Sequence, residues 1–255
     1  MTRGLCNMYG YDLSADEIMC KNMELAIVPL ASIEQHGTHL PVATDWYIAM
    51  ALGKKVAELS GGFLVPALPI STCREHMGKK GSVWMDHDIY YNMLKSILLS
   101  LKEQGFGKAL LLQCHGGIFM AGPLVRQMNA TCNPDFMVAF IDICNVFSLL
   151  YEKGIAETST ELHAGEIETS LMLHIAPETV NMAVAEDFVP EVPRAYLNYG
   201  SIFRASPTGV WGEPTKAAAE KGKAMLEFAA RYAIEESERI FDYISRKEKI
   251  GYSDF

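Results

Sequence analysis

The sequence predicts an α/β protein with a largely parallel central sheet. Short apolar runs alternate with amphipathic stretches of helical period, the pattern of strands joined by crossover helices. Polar clusters rich in His, Asp and Glu directly follow two of those runs, where ligand sites lie in open parallel sheets. The chain has 255 residues, 49% of them hydrophobic, enough to bury a large core, and neither a repeat nor a composition break divides it. Residues 1–255 are therefore expected to form a single domain.

Glu24 to Leu30 is a short apolar run that feeds a polar loop, a buried strand. Trp46, Ala49, Met50, Val56 and Leu59 then recur at helical spacing, with Thr44 or Asp45 as N-cap and Gly61-Gly62 as the stop. Phe63 to Ile70 reads as a strand. Asp88 to Gln104 reads as an amphipathic helix through Ile89, Met93, Ile97 and Leu101, ended by Gly105. Ala109 to Cys114 is an apolar strand that runs into His115-Gly116-Gly117. A helix near Pro123 to Ala130, a strand at Phe136 to Ile143 and a helix around His163 to Ile175 follow. Asp187 to Gly212, rich in Pro and Gly, reads as loops or short strands. A helix from Pro214 to about Arg246 closes the pattern, with Pro in its first turn.

Composition excludes several functions. With 22 Lys+Arg against 31 Asp+Glu the net charge is −9, and no basic stripe appears, which argues against binding nucleic acid or an anionic membrane. No apolar run reaches the roughly 18 to 20 residues of a membrane span, and no signal-like segment opens the chain, so a cytoplasmic protein is expected. The six cysteines (6, 20, 73, 114, 132, 144) form no C-x-x-C pair and read as reduced thiols.

Three clusters can carry chemistry. Glu34 and His36 stand two apart after a strand, so in extended chain they point the same way, and Asp45 at the mouth of the next helix can return to the same place. Carboxylates with imidazole and no thiolate pair suit a zinc- or manganese-type hydrolytic site. Polar loop residues and an N-cap are an equally ordinary reading of the same spacing. His115 with two glycines is more often structural. It also resembles a lipase oxyanion loop, but the chain has no Gly-x-Ser-x-Gly elbow. If His163 opens a helix, His163, Glu166 and Ser170 share one face, and Glu168 points roughly 160° to 220° away from Glu166. The two glutamates then differ in role, with Glu168 expected in a buried supporting shell.

Together, Glu34-Gln35-His36-Gly37-x-His39-Leu40-Pro41 with Thr44-Asp45, His115-Gly116-Gly117, and His163-Ala164-Gly165-Glu166-x-Glu168-Thr169-Ser170 resemble the creatininase (creatinine amidohydrolase) family over about residues 24 to 175. The resemblance implies a three-layer α/β/α subunit, a homo-oligomer (commonly a hexamer), and two divalent metal ions per subunit, with zinc, manganese or iron as candidates. It implies a metal-dependent amidohydrolase that cleaves a non-peptide C–N bond of a small, often cyclic, amide with a metal-bridging hydroxide. Formamide deformylation, short-peptide trimming and a non-catalytic binding subunit are the alternatives, and a cysteine hydrolase using Cys114 is a further one.

Carried over, Glu34, Asp45 and His115 match the ligands of one metal, and His36 with Asp45 match ligands of the other. Creatininase has a glutamate two residues after the histidine matching His115, where this chain has Gly117. Glu166 is then expected as the fifth ligand, with Glu168 the other choice. His163 matches the catalytic histidine. Ser159 and a position near Ile143 stand where creatininase has pocket tryptophans, so creatinine is not the expected substrate. Arg74-Glu75-His76-Met77-Gly78-Lys79-Lys80 resembles the family's substrate-side segment, with Lys79-Lys80 in place of Phe-Pro. Glu75 and His76 are expected near substrate and could reach a neighbouring subunit's pocket, and Lys79 and Lys80 read either as cations that attract an anionic substrate or as an ordinary solvated pair on a surface loop.

Overall fold

The computed structural model describes residues 10–246, so the thiol of Cys6 lies outside the described residues. Four parallel strands form the sheet in the order β2-β1-β3-β4: β1 (Leu25–Leu30), β2 (Phe63–Leu64), β3 (Lys108–Gln113) and β4 (Met137–Asp142). The helices are α1 (Ala15–Lys21), α2 (Thr44–Ser60), α3 (His87–Glu103), α4 (Ala121–Cys132), α5 (Cys144–Glu152), α6 (Glu166–Ile175) and α7 (Ala219–Ser245).

The central strands are apolar on both sides because helices cover both faces. Ile27, Leu110, Leu112, Ala139 and Ile141 point into one core with Ile48, Leu52 and Val56 of α2, Ile167 and Leu171 of α6, and Ala229 and Phe241 of α7. The alternate residues Ala26, Val28, Leu111 and Val138 point into a second core with Leu94 and Leu98 of α3 and Leu124 and Met128 of α4. The period-two alternation thus builds three layers, α/β/α.

Several boundaries differ from the sequence expectation. The strand expected over 63–70 is reduced to Phe63–Leu64, because Pro66 and Pro69 have no N–H for the ladder. Val65 and Leu68 still donate to Ile27 and Pro29 carbonyls, and the segment stays against β1. Thr44 and Asp45 do not cap α2. Its N-cap is Ala43, and Asp45 sits in the first turn, free to face the strand ends. Pro214 opens a short 3-10 turn, and α7 begins at Ala219. α1, with a Ser14–Glu17 capping box, and α5 were not expected from periodicity. The five described cysteines are free thiols. Among the described residues no helix is long and apolar enough to cross a membrane.

Candidate metal centre

The site lies at the carboxyl ends of β1 and β3. β1 delivers the loop with Glu34 and His36, β3 delivers His115, the first turn of α2 delivers Asp45, the segment just before α6 delivers His163, and the first turn of α6 delivers Glu168. All six side chains are buried. Asp45 lies between two imidazoles: Oδ1 is 3.1 Å from His36 Nε2, and Oδ2 is 3.3 Å from His115 Nδ1. Glu34 Oε2 is 3.1 Å from His115 Nδ1, and Glu168 Oε2 is 3.8 Å from His36 Nε2. Ser32 Oγ donates to Asp45 Oδ2 at 2.9 Å and fixes the carboxylate.

Backbone carbonyls set the imidazole tautomers, because a carbonyl can only accept. His36 Nδ1 faces the Glu34 carbonyl at 3.1 Å, so it carries a proton and Nε2 is the ligating atom toward Asp45 and Glu168. His115 Nε2 faces the Thr72 carbonyl at 3.1 Å, which leaves Nδ1 toward Glu34 and Asp45. His163 Nε2 donates to the Gln35 carbonyl at 2.7 Å, which leaves Nδ1 on the site side, 3.7 Å from Glu34 Oε1. The side chain of Gln35 also donates to His76 Nδ1 at 2.9 Å, so His76 presents Nε2–H to Glu34 Oε1 at 3.3 Å.

These lone pairs converge on carboxylate oxygens, an arrangement that needs a cation. Glu34 Oε2 is a buried oxygen with no hydrogen-bond partner. Protons alone hold the metal-free cluster together. Burial pulls His36 down, but Asp45, Glu168 and Glu34 override it and raise it to about 10. Burial also opposes protonation of His115, yet Glu34 and Asp45 raise it well above its usual value. Burial would raise Asp45, but His36 and His115 hold it well below the carboxylate range. Burial raises Glu34, and raises Glu168 to about 7 against the pull of His36. His76 and His163 are kept neutral, chiefly by burial and then by neighbouring imidazoles. The sets Glu34/Asp45/His115 and His36/His163/Glu168 each bring their ligand atoms close enough to hold an ion, and Glu34/His76/His163 form a third such set. The residues present fit divalent metal binding.

The expectation for Glu166 is overturned. Its carboxylate faces away from the cluster, accepting from the Glu157 and Thr158 amides at 2.9 and 2.7 Å and from Lys221 Nζ of α7 at 2.7 Å. Glu168 is the glutamate that faces His36. The two glutamates do differ in role, with the roles exchanged, because α6 begins at Glu166 and not at His163. Ala164 adopts a left-handed conformation, φ +54°, so His163 does not share the helical phase of the residues after it. Ala164 N donates to Glu168 Oε2 at 2.5 Å, and half-buried Glu161 accepts from the Ile167 and Glu168 amides at 2.6 and 3.1 Å.

The 74–80 segment is also corrected. Glu75 and His76 reach the pocket of their own chain. Glu75 Oε1 lies 3.4 Å from His115 Nε2, and it fits there because Gly117 has no side chain: a Cβ at that position would lie 1.8 Å from this oxygen. Lys79 and Lys80 are exposed and do not line the pocket. Lys79 Nζ donates to the Thr208 carbonyl and sits over the Phe203 ring, since the turn at Gly78 carries the lysines outward. Arg74 pairs with Asp86. His39 lies behind the cluster and bonds Thr169 Oγ1 at 2.9 Å.

The cavity above the cluster measures about 300 Å³, and Glu34, Asp45, His115, His163 and Glu168 form its floor. Phe119, Leu162, Leu197 and Ile202 supply apolar wall, and Arg194 and Cys144 complete the side. Sequence reasoning missed Gln35, which stood inside a recognised motif, and Arg194, which carried no motif or spacing signal. Ile143 is buried in the core, Ser159 is exposed, and neither lines the cavity. Burial raises the thiols of Cys114 and Cys144 well above their usual values, which removes the thiolate that a cysteine nucleophile requires.

Fold and site together define an α/β/α protein with a carboxylate–imidazole cluster suited to divalent metal at the carboxyl end of a parallel sheet. The chain belongs to the creatininase family, whose model, described as creatinine amidohydrolase, matches residues 12–236. It is 30% identical over 221 residues to a mycofactocin precursor peptide peptidase of Mycobacterium ulcerans, covering 78% of this chain and 79% of that protein. It is 25% identical over 222 residues to the creatinine amidohydrolase of Pseudomonas putida, covering 79% and 84%. A solved manganese form of creatininase superposes with a TM-score of 0.75 at 22% identity, over 91% of this chain and 97% of that one.

Proposed function

We propose that this protein is a metal-dependent amidohydrolase that cleaves a C–N bond of a small molecule. The observation that carries the reading is Asp45 placed between His36 and His115, one carboxylate oxygen toward each ligating nitrogen. Glu34, Asp45 and His115 would hold one ion, and His36, Asp45 and Glu168 the other, with Asp45 shared. Two divalent ions so held would supply a water of lowered pKa and polarise the scissile carbonyl.

The remaining work falls to side chains. His163 is neutral, and its proton is fixed at Nε2 by the Gln35 carbonyl. Nδ1 is therefore the atom that takes a proton from the attacking water and passes it to the leaving nitrogen. The Gln35 amide holds His76 beside it, and Glu75 with the Thr72 carbonyl fixes the ring of His115. Phe119, Leu162, Leu197 and Ile202 exclude water from the apolar side.

The peptidase among the relatives favours a linear amide, and the creatinine amidohydrolase favours a cyclic one. Ser159, which matches one pocket tryptophan of creatininase, lies outside this cavity, which favours the linear amide. A homo-oligomer, a hexamer by resemblance, belongs to the same reading, and light scattering that finds a monomer would contradict that part. The direct test strips the protein with a chelator and restores zinc or manganese while hydrolysis of linear and cyclic amides is followed. Activity should return with metal and survive thiol alkylation. Activity that ignores the chelator and falls on alkylation would overturn the proposal.

A further inference from the structure

Arg194 is the one Lys or Arg among the described residues that line the cavity. It opens a 3-10 helix, Arg194–Tyr199, in the Pro-rich segment expected to be loop, and reaches across to the turn that carries His115. Its Nη2 donates to the Gly116 carbonyl at 3.0 Å. Gly116 leaves room for this approach, since a Cβ there would lie 2.9 Å from the same nitrogen and the guanidinium would have to shift slightly. The guanidinium forms no ion pair among the described residues, although its charge lowers Asp142 against the stronger effect of burial. It therefore stands as a cation at the rim of a cavity whose floor is anionic, tied to the residue that follows a candidate metal ligand.

An arginine tied at one nitrogen keeps the other edges of its fork available, and that fork matches a planar carboxylate with two parallel hydrogen bonds. We infer that Arg194 selects substrates that carry a carboxylate close to the scissile amide, with Leu197 and Ile202 of the same segment packing the carbon skeleton between the two groups. This rests on the amidohydrolase reading above and narrows it to N-acylated amino acids or peptide ends. It also moves the anion-recognition role expected of Lys79 and Lys80 to a residue more than a hundred positions away. A phosphate in this position would bring a second negative charge toward Asp142, Glu75 and Glu168, so carboxylate is the favoured anion.

The test compares N-acetyl-leucine with N-(3-methylbutyl)acetamide, which differs in lacking the carboxylate, on metal-loaded wild type, Arg194→Ala and Arg194→Lys. A phosphate arm uses N-acetyl-phosphoethanolamine. The ratio of kcat/KM for the acid over the neutral amide should fall about ten- to a hundredfold in Arg194→Ala, mostly through KM, and recover in part in Arg194→Lys. An unchanged ratio, or a preference for the phosphate compound that Arg194→Ala abolishes, would overturn the inference. If none of these amides is cleaved, the amidohydrolase reading fails for this class, and calorimetric binding of N-acetyl-leucine decides the inference separately. Weaker binding to Arg194→Ala than to wild type supports it, and equal or absent binding overturns it.

Discussion

The exchange of roles between Glu166 and Glu168 gives a prediction that separates folding from metal binding. Glu166 is fully buried and satisfies two backbone amides and Lys221 Nζ, tying the start of α6 to α7 and to the 157–158 segment. In Glu166→Gln one side-chain oxygen becomes an N–H that faces these donors. Lys221 is only half-buried and keeps Glu157, so the main cost is a buried backbone amide left without an acceptor, about 1 to 3 kcal/mol. For a chain of this size that lowers Tm by about 2 to 12 °C. Glu168 carries a carboxyl raised to about 7 by burial. Its replacement by Gln removes a desolvation penalty along with a charge, so the metal-free Tm should move by much less. Calorimetry of both variants with and without saturating metal reads the difference. Glu166→Gln should have a low metal-free Tm and keep the full metal-induced rise, whereas Glu168→Gln should have a near-native metal-free Tm and lose much of the rise. The reverse pattern would refute the assignment of the two glutamates.

Other outcomes follow from the same geometry. His163→Asn should lower kcat by about a hundred- to ten-thousandfold while metal content, measured by mass spectrometry, stays at the wild-type level. Loss of metal together with activity would make His163 a ligand. His36, raised from 6.5 to about 10, stabilises the metal-free fold fully below its unfolded value, and that contribution disappears as pH rises through about 10. Metal must displace this proton, so apparent metal affinity should climb between pH 7 and 10, by up to about tenfold per pH unit for each proton released, and titrations in buffers of different ionisation enthalpy should show proton release. A flat affinity profile would contradict the tautomer and charge assignment. Gly117→Ala places a methyl 1.8 Å from Glu75 Oε1 and 2.4 Å from His115 Nε2, so metal affinity and activity should both fall, and activity assays that find wild-type kcat/KM would contradict the placement of Glu75.

Much of the site was legible because its residues follow directly from where strands end. The apolar runs at β1 and β3 put Glu34, His36 and His115 at neighbouring strand termini, and Asp45 needed only the next helix to begin where it does. The glutamate assignment was not legible because it hung on helical phase. A helix opened at His163 puts Glu166 toward the site, but the left-handed turn at Ala164 starts the helix at Glu166 and rotates Glu168 inward. Arg194 left no trace in local pattern because its contact with Gly116 joins segments far apart in sequence. The basic pair at 79–80 was visible, yet charge in sequence carries no direction, and the turn at Gly78 sends both lysines away from the cavity.

In the function proposed above, Asp45 would be shared between two bound ions. The most direct measurement is the metal content of purified, metal-replete protein by mass spectrometry, wild type against Asp45→Asn, with circular dichroism to verify that both are folded. About two divalent ions per chain are expected in the wild type and at most one in the variant. A folded wild type that binds none, or an Asp45→Asn protein that keeps two, would contradict the proposal.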